Sequence, residues 1–213
     1  DGAGVKGYAL APTSEFSMDD NWHVVGLAGT GSKNVFCEDL FIAEHHFLTI
    51  DDTISGNPPG AAVNKAPLYS LPLFSMISIS LCAAVMGMAQ GAFDEFTCGI
   101  QNRITSGASI TSSVAMAEIP AVQLRVGAAA ASIDAGRVLV GSDCREIMET
   151  VVAGDRLNVE QRARFKRDQA FAVRLAINAV DSLFKGGGGG GLFTSSRMQR
   201  YWRDATAGAM HIT

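Results

Sequence analysis

At 213 residues, with 47% hydrophobic side chains, the chain can bury a sizeable core, which excludes a disordered polymer. A formal charge of −4 and a pI near 5.5 exclude a dedicated nucleic-acid binder, since phosphate binding needs Lys and Arg gathered on one face. The basic cluster Arg162, Arg164, Lys166 and Arg167 reads as a solvated helix face.

The start, Asp1-Gly2-Ala3-Gly4, lacks the basic-then-apolar pattern of a secretory leader, so none is expected. Residues 1–50 read as strand and turn. Trp22–Leu27 predicts one short strand and Val35–Ile42 another, joined by a turn over Ala28–Asn34. Fifty residues make an incomplete β segment rather than a closed β domain. His45 and His46 would point to opposite sides of a strand, and neither His23 nor His211 lies at ligand spacing from them, so no metal site is expected. Cys37, Cys82, Cys98 and Cys144 show no CxxC pairing and are expected as reduced, mostly buried thiols in a cytoplasmic protein.

Residues 51–66, with Gly56-Asn57-Pro58-Pro59-Gly60, have the composition of a linker. Helical character follows over 67–213. The first helix is predicted from Leu68 to about Arg103, uncharged between Lys65 and Asp94. That length could span a bilayer. Ser75, Ser78, Ser80, Gln90, prolines and glycines dilute its apolarity, and a buried helix at the centre of a soluble bundle fits better, with no membrane expected. A second helix runs from Ile119 to about Thr150, with Pro120 in its first turn. A third, from about Asp155 to Lys185, places Phe165, Ala172, Leu175, Ala176, Ala179 and Leu183 on one stripe. Gly186–Gly191 end it, because each glycine costs about 1 kcal/mol against alanine in a helix. The last helix starts at Ser195 or Ser196 and runs toward Met210. The fold class is therefore mainly α, an antiparallel four-helix bundle preceded by a partial β segment. The small residues of Gly127–Ala131 and Gly87-Met88-Ala89 permit close helix approach within or between subunits.

Trp22-x-x-x-Gly26-Leu27-x-Gly29-Thr30-Gly31-Ser32, followed by Asp39-Leu40-Phe41-Ile42-Ala43-Glu44, resembles the end of the middle β-barrel domain in the acyl-CoA dehydrogenase superfamily. The Gly-Thr-Gly-Ser form is that of the monooxygenase branch, and Ala43 stands where a proline is usual. Gly91-Ala92-x-x-x-Phe96 leading to Arg103-Ile104-Thr105 is similar to the family helix whose arginine and threonine approach the flavin phosphates. Read from chemistry alone, Arg103 is more simply a C-terminal arginine that satisfies the dipole of the helix it ends, although its planar donor fork also suits phosphate. Ile119–Arg125 through Ile133–Arg137 is similar to the next family helix. Phe184-Lys185-Gly186-Gly187-Gly188-Gly189 resembles the family's nucleotide-approaching glycine loop, which implies Lys185, Gly186, Gly187 and Gly188 as cofactor-binding residues. Ser196 to Ala205 resembles the helix ending in Arg-Asp, with Arg203 and Asp204 expected as an ion pair that fixes it. The resemblance covers essentially the whole chain but only part of a family member, so a fragment is expected.

An acyl-CoA dehydrogenase needs a carboxylate base, which the family places on the first bundle helix or just after the Arg-Asp helix. Both places lack an acid: none occurs from Lys65 to Asp94, and none follows Asp204. His211 stands instead where the monooxygenase branch carries a flavin-facing histidine, although a histidine at a helix C-terminus also answers the dipole. The resemblance thus implies an oxygenase that takes reduced FMN or FAD from an NAD(P)H-dependent flavin reductase and uses O2 to oxidise an aromatic or other apolar small molecule. It also implies a homotetramer. A FAD-dependent acyl-CoA dehydrogenase, or a silent oligomerisation module as an isolated piece, are the alternatives.

Overall fold

The computed structural model describes residues 4–56, 58–105 and 113–210. Its first elements are short strands paired as antiparallel ribbons. β1 (Gly7–Ala9) pairs with β4 (Phe47–Thr49), placing Tyr8 opposite Leu48, and β2 (Ser17–Asp19) pairs with β3 (Asn34–Phe36), placing Met18 opposite Val35. No strand forms over Trp22–Leu27, contrary to the alternation of its side chains. Leu27 adopts φ 56°, outside the extended region, and its N–H is taken by a helix side chain rather than a ladder. The strand expected over Val35–Ile42 shrinks to β3, and Asp39 at φ 49° turns the chain away.

The stretch with linker composition holds α1 (Ile50–Ser55). Thr49 caps it: Asp52 N–H donates to Thr49 Oγ1 at 3.0 Å while Thr49 N–H donates back to the Asp52 carboxylate at 3.3 Å. Gly56, at φ 68°, ends it in the left-handed conformation that glycine adopts without strain.

Four long helices come next. α2 (Leu73–Ile100) starts later than its apolar run, because Pro72 holds Leu71 extended at ψ 139°. β5 (Ile104–Thr105) and β6 (Val114–Ala115) form a small hairpin, and then come α3 (Pro120–Val152), α4 (Val159–Gly186) and α5 (Arg197–Ala209). By length and composition α2 could cross a membrane. Its buried residues Cys82, Val85, Met86, Ala89, Ala92 and Phe96 nevertheless belong to one apolar core shared with the other three helices. That core takes Ile133 and Ala129 from α3, Ala172, Val173, Ala176, Val180 and Leu183 from α4, and Met198 and Ala205 from α5. Each large aliphatic so buried contributes about 1.5–3 kcal/mol. The α4 stripe is as its spacing requires at Phe165, Ala172, Ala176, Ala179 and Leu183, while Leu175 is half-buried beside it. The tip of Met86 on α2 packs over Gly136 of α3, where a Cβ would stand 2.8 Å from Met86 Cε.

Among the described residues two compact units are distinguished. One holds the chain up to Val24, Ala28–Ile77 and Glu146–Asn158; the other holds Val25–Leu27, Ser78–Arg145 and the chain from Val159 on. The tripeptide Val25–Leu27 thus belongs to the helical unit although strand-unit sequence flanks it on both sides.

Candidate functional site

The end of α4 and the glycine turn after it gather most of the expected site residues. Gly186 is the last residue of α4, Gly188 has φ 62°, and Gly188–Leu192 forms a 3-10 turn. The left-handed angle explains glycine at 188. At 186 the reason is space, since a Cβ there would stand 2.6 Å from Arg125 Cδ. Arg103, just beyond α2, reaches across 84 residues of sequence, and its Nη1 donates to the Gly187 carbonyl at 2.9 Å. Its Nη2 lies on the side of Gly190, 3.8 Å from where a Cβ would be. A guanidinium carries five N–H donors, so one carbonyl leaves an exposed Arg103 with capacity for an anion. Arg103 thus caps the end of α4 rather than that of its own helix, and it faces an exposed glycine surface that lacks side chains. Both features suit a phosphate or pyrophosphate group.

The N–H of Gly187 is already used, donating to the Leu183 and Phe184 carbonyls at 3.1 Å each. Lys185 is turned to its own helix, where Nζ donates to Asp181 at 2.6 Å. Asp181 also accepts from Trp202 Nε1 at 3.3 Å, and the Trp202 ring stacks on Phe184 at 4.9 Å. Thr105 lies at the end of β5, opposite Val114. His211 lies outside the described residues. Sequence reasoning missed Arg125, Asp181 and Trp202. The Asp181-Lys185 spacing of four was a legible signal; the contact of Arg125 with Ser182, through Nη1 to the backbone and hydroxyl oxygens, had none.

Arg203 and Asp204 do different work from the mutual ion pair expected. Arg203 Nη1 donates to the Val25 carbonyl at 2.6 Å, its Nε donates to Gln199 at 2.7 Å, and Asp204 Oδ1 accepts from Leu27 N–H at 2.7 Å. The acids of α2 are likewise occupied: Asp94 accepts from Gln90 at 2.6 Å, and Glu95 faces Arg197 at 3.7 Å. His45 and His46 sit on a 3-10 turn, where successive side chains diverge by about 120° rather than 180°, and their ring centroids are 4.2 Å apart. Together with Tyr8, Leu10 and Pro58 they line an open cavity of about 810 Å³. Of the four thiols only Cys82 is buried; Cys144 is half-buried, while Cys37 and Cys98 are exposed. Burial, reinforced by Cys144 and Asp143, pushes the Cys82 thiol up to about 11, which makes it a poor nucleophile at neutral pH.

The chain is similar to several known proteins. The chain is 37% identical to the oxygenase component of an FADH2-dependent resorcinol hydroxylase from Rhizobium sp. (strain MTP-10005), covering 100% of this chain and 53% of that protein. It is 34% identical to the oxygenase subunit HsaA of a flavin-dependent monooxygenase from Rhodococcus jostii (strain RHA1), over 95% of this chain and 52% of the relative. The crystal structure of a 3-HSA hydroxylase from Rhodococcus sp. RHA1 superposes with a TM-score of 0.84 at 32% identity, covering 95% of this chain and 50% of the other. The chain spans about half the length of the curated relatives it matches. Residues 79–213 match the family described as acyl-CoA dehydrogenase, C-terminal domain, and they include α3, α4, α5, the glycine turn and most of α2. The chain therefore belongs to the acyl-CoA dehydrogenase C-terminal domain family.

Proposed function

We propose that the protein containing this chain is the oxygenase component of a two-component flavin-dependent monooxygenase acting on an aromatic small molecule. The observation that carries the reading over a dehydrogenase is the pattern of carboxylates. α2 has no acid before Asp94, residues 205–213 contain none, and Asp94, Glu95 and Asp204 are each engaged by another group. A general base must come within hydrogen-bond reach of the proton it takes. Relatives named as monooxygenase oxygenase components support the same reading.

In this reading Arg103 and the exposed glycines hold the phosphates of a reduced flavin, with Thr105 adding a hydroxyl and Lys185 a nearby positive charge. The FADH2 in one relative's name favours FAD over FMN. Reduced flavin supplies the electrons that activate O2, and an NAD(P)H-dependent reductase supplies the flavin. The chain's own tasks are to bind the phosphates, exclude water and orient the substrate. His211 donates a hydrogen bond or a proton at the flavin. The four long helices form the antiparallel bundle of the family, and the strand unit is the end of its middle β-barrel. The protein is a cytoplasmic homotetramer. The exposed apolar stripe of α3, with Leu124 at 75% and Val138 at 69% exposure and Ala131 and Ala135 between them, suits a subunit seam.

The test uses the full-length protein with reduced FAD, a flavin reductase, 18O2 and a panel of phenols beginning with resorcinol. Incorporation of one 18O atom into a phenol is the expected result. A tightly held FAD that is bleached by butyryl-CoA, with no oxygen transferred, replaces this reading with the dehydrogenase.

A further inference from the structure

We infer that Arg125 is a positioning residue for the glycine turn: it sets how well Arg103 and the turn take a phosphate, without touching that phosphate itself. The inference rests on the proposed reading of the turn as the flavin-phosphate site and names what holds that site in shape. Every residue it uses belongs to the helical unit.

Six successive glycines, Gly186–Gly191, cannot hold a pose of their own, because each loses more conformational freedom on ordering than any other residue and none has a side chain to pack. The pose is imposed at the two ends of the run. At its start the Arg125 side chain lies over Gly186, where a Cβ would stand 2.6 Å from Arg125 Cδ, 2.9 Å from Arg125 Nε and 3.2 Å from Phe96 Cζ. Arg125 is held there by its Nη1, which donates to the Ser182 carbonyl and, at 3.2 Å, to the Ser182 hydroxyl. At the far end Gly191 is buried against Phe184, where a Cβ would stand 3.4 Å from Phe184 Cε2. Between these ends a Cβ on Gly188 or Gly189 would meet nothing within 4 Å, and one on Gly190 would have Arg103 Nη2 beside it. The run is pinned at both ends and open in the middle.

Two arginines thus answer the same helix end from different helices. Both charges suit the partial negative charge of the α4 C-terminus, and the charge of Lys185 is already paired with Asp181. Arg103 is exposed and Arg125 half-buried, so Arg103 keeps donors for a phosphate while Arg125 is turned to Ser182 and Gly186. Gly186 directly precedes the carbonyl of Gly187 to which Arg103 is bonded. A shift of Gly186 therefore moves that carbonyl, and with it the guanidinium and its outward donors. Arg125 lies outside the apolar core that joins the four helices, so its removal loosens the turn and leaves the bundle standing.

The test compares FMN with riboflavin by fluorescence titration of the full-length parent, Arg125→Met, Arg125→Lys, Arg103→Ala and the double variant Arg125→Met with Arg103→Ala. Methionine keeps an unbranched stem over Gly186 without charge or donors, and lysine keeps the charge without the fork. Arg125→Met is expected to weaken FMN about tenfold with riboflavin unchanged, and Arg125→Lys to recover part of that loss. Without Arg103 the same change to methionine is expected to weaken FMN by about twofold at most, since residues that act through one another are not additive. An FMN loss as large without Arg103 as with it overturns the positioning role and makes Arg125 a direct phosphate ligand. Unchanged FMN binding in Arg125→Met, or equal losses for FMN and riboflavin, also overturns it. In parallel, hydrogen–deuterium exchange is expected to quicken in Arg125→Met over residues 183–193 and to stay unchanged in α2 and α3. No change over 183–193, or an equal rise in every helix, overturns the pinning of the turn. If the parent binds FMN no more tightly than riboflavin, the flavin-phosphate reading fails and the affinity half of the inference fails with it, while the exchange data still decide whether Arg125 holds the turn.

Discussion

Two arginines in this chain make the same bond and serve different ends. Arg103 donates to the Gly187 carbonyl across 84 residues, and Arg203 donates to the Val25 carbonyl across 178. Around Arg103 the surface is exposed and the next residues are glycines, so the guanidinium keeps donors for something outside the protein. Around Arg203 a second donor is held by Gln199, and Asp204 completes the grip on the same tripeptide. An arginine bonded to a carbonyl is thus neither structural nor functional by that fact. The role is set by whether its neighbours close the site or leave it open.

The largest effect is expected from breaking the closed side. Gly26→Ala drives a Cβ to 2.3 Å from the Arg203 carbonyl oxygen. Backbone cannot yield as a flexible side chain does, so a destabilisation of about 3 kcal/mol is expected in urea unfolding. A stability equal to that of the parent would mean that Gly26 does not lie against α5 in solution.

The open side is broken by Arg103→Ala. The variant is expected to fold normally but to bind FMN about ten- to a hundredfold more weakly, with riboflavin binding unaffected, because riboflavin lacks the phosphate. Equal losses for both ligands in a fluorescence titration would mean that Arg103 only caps α4.

Alkaline pH separates closed from open surroundings in a second way. Burial raises Cys82 from an ordinary thiol value of 9.0 to about 11, so the folded state holds its proton more tightly than the unfolded one. The stability linked to this thiol is intact below pH 9 and is lost as pH rises toward about 11. In thiol labelling at pH 8 the exposed Cys37 and Cys98 are expected to react within minutes and Cys82 only on unfolding. Rapid labelling of all four thiols would contradict the buried helical core.

The smallest effect belongs to Asp181→Ala, which releases Lys185 and Trp202 together. A partly exposed pair spaced by four residues contributes about 0.3–0.5 kcal/mol, so stability should hardly move. Trp202 fluorescence should shift with the loss of its bond to Asp181; no shift would place the indole away from α4.

The local features of the chain were legible in its sequence. The spacing of Phe165, Ala172, Ala176, Ala179 and Leu183 produced α4's buried stripe, Gly186–Gly191 ended the helix, and the acid-free stretches 66–93 and 205–213 were plain. These features depend on neighbours within a turn or two, where periodicity and propensity act. Pro72 was a legible signal too, yet the apolar run beside it pulled the expected start of α2 forward to Leu68. Tertiary contacts, by contrast, made Trp22–Leu27 something other than a strand, turned Arg203 and Asp204 onto that segment rather than onto each other, and brought Arg103 to the glycine turn. Each of those outcomes depends on a partner some eighty or more residues away. Alternating side chains fix which faces of a segment are apolar, but the partner that takes its backbone N–H and C=O groups is chosen when the chain closes on itself.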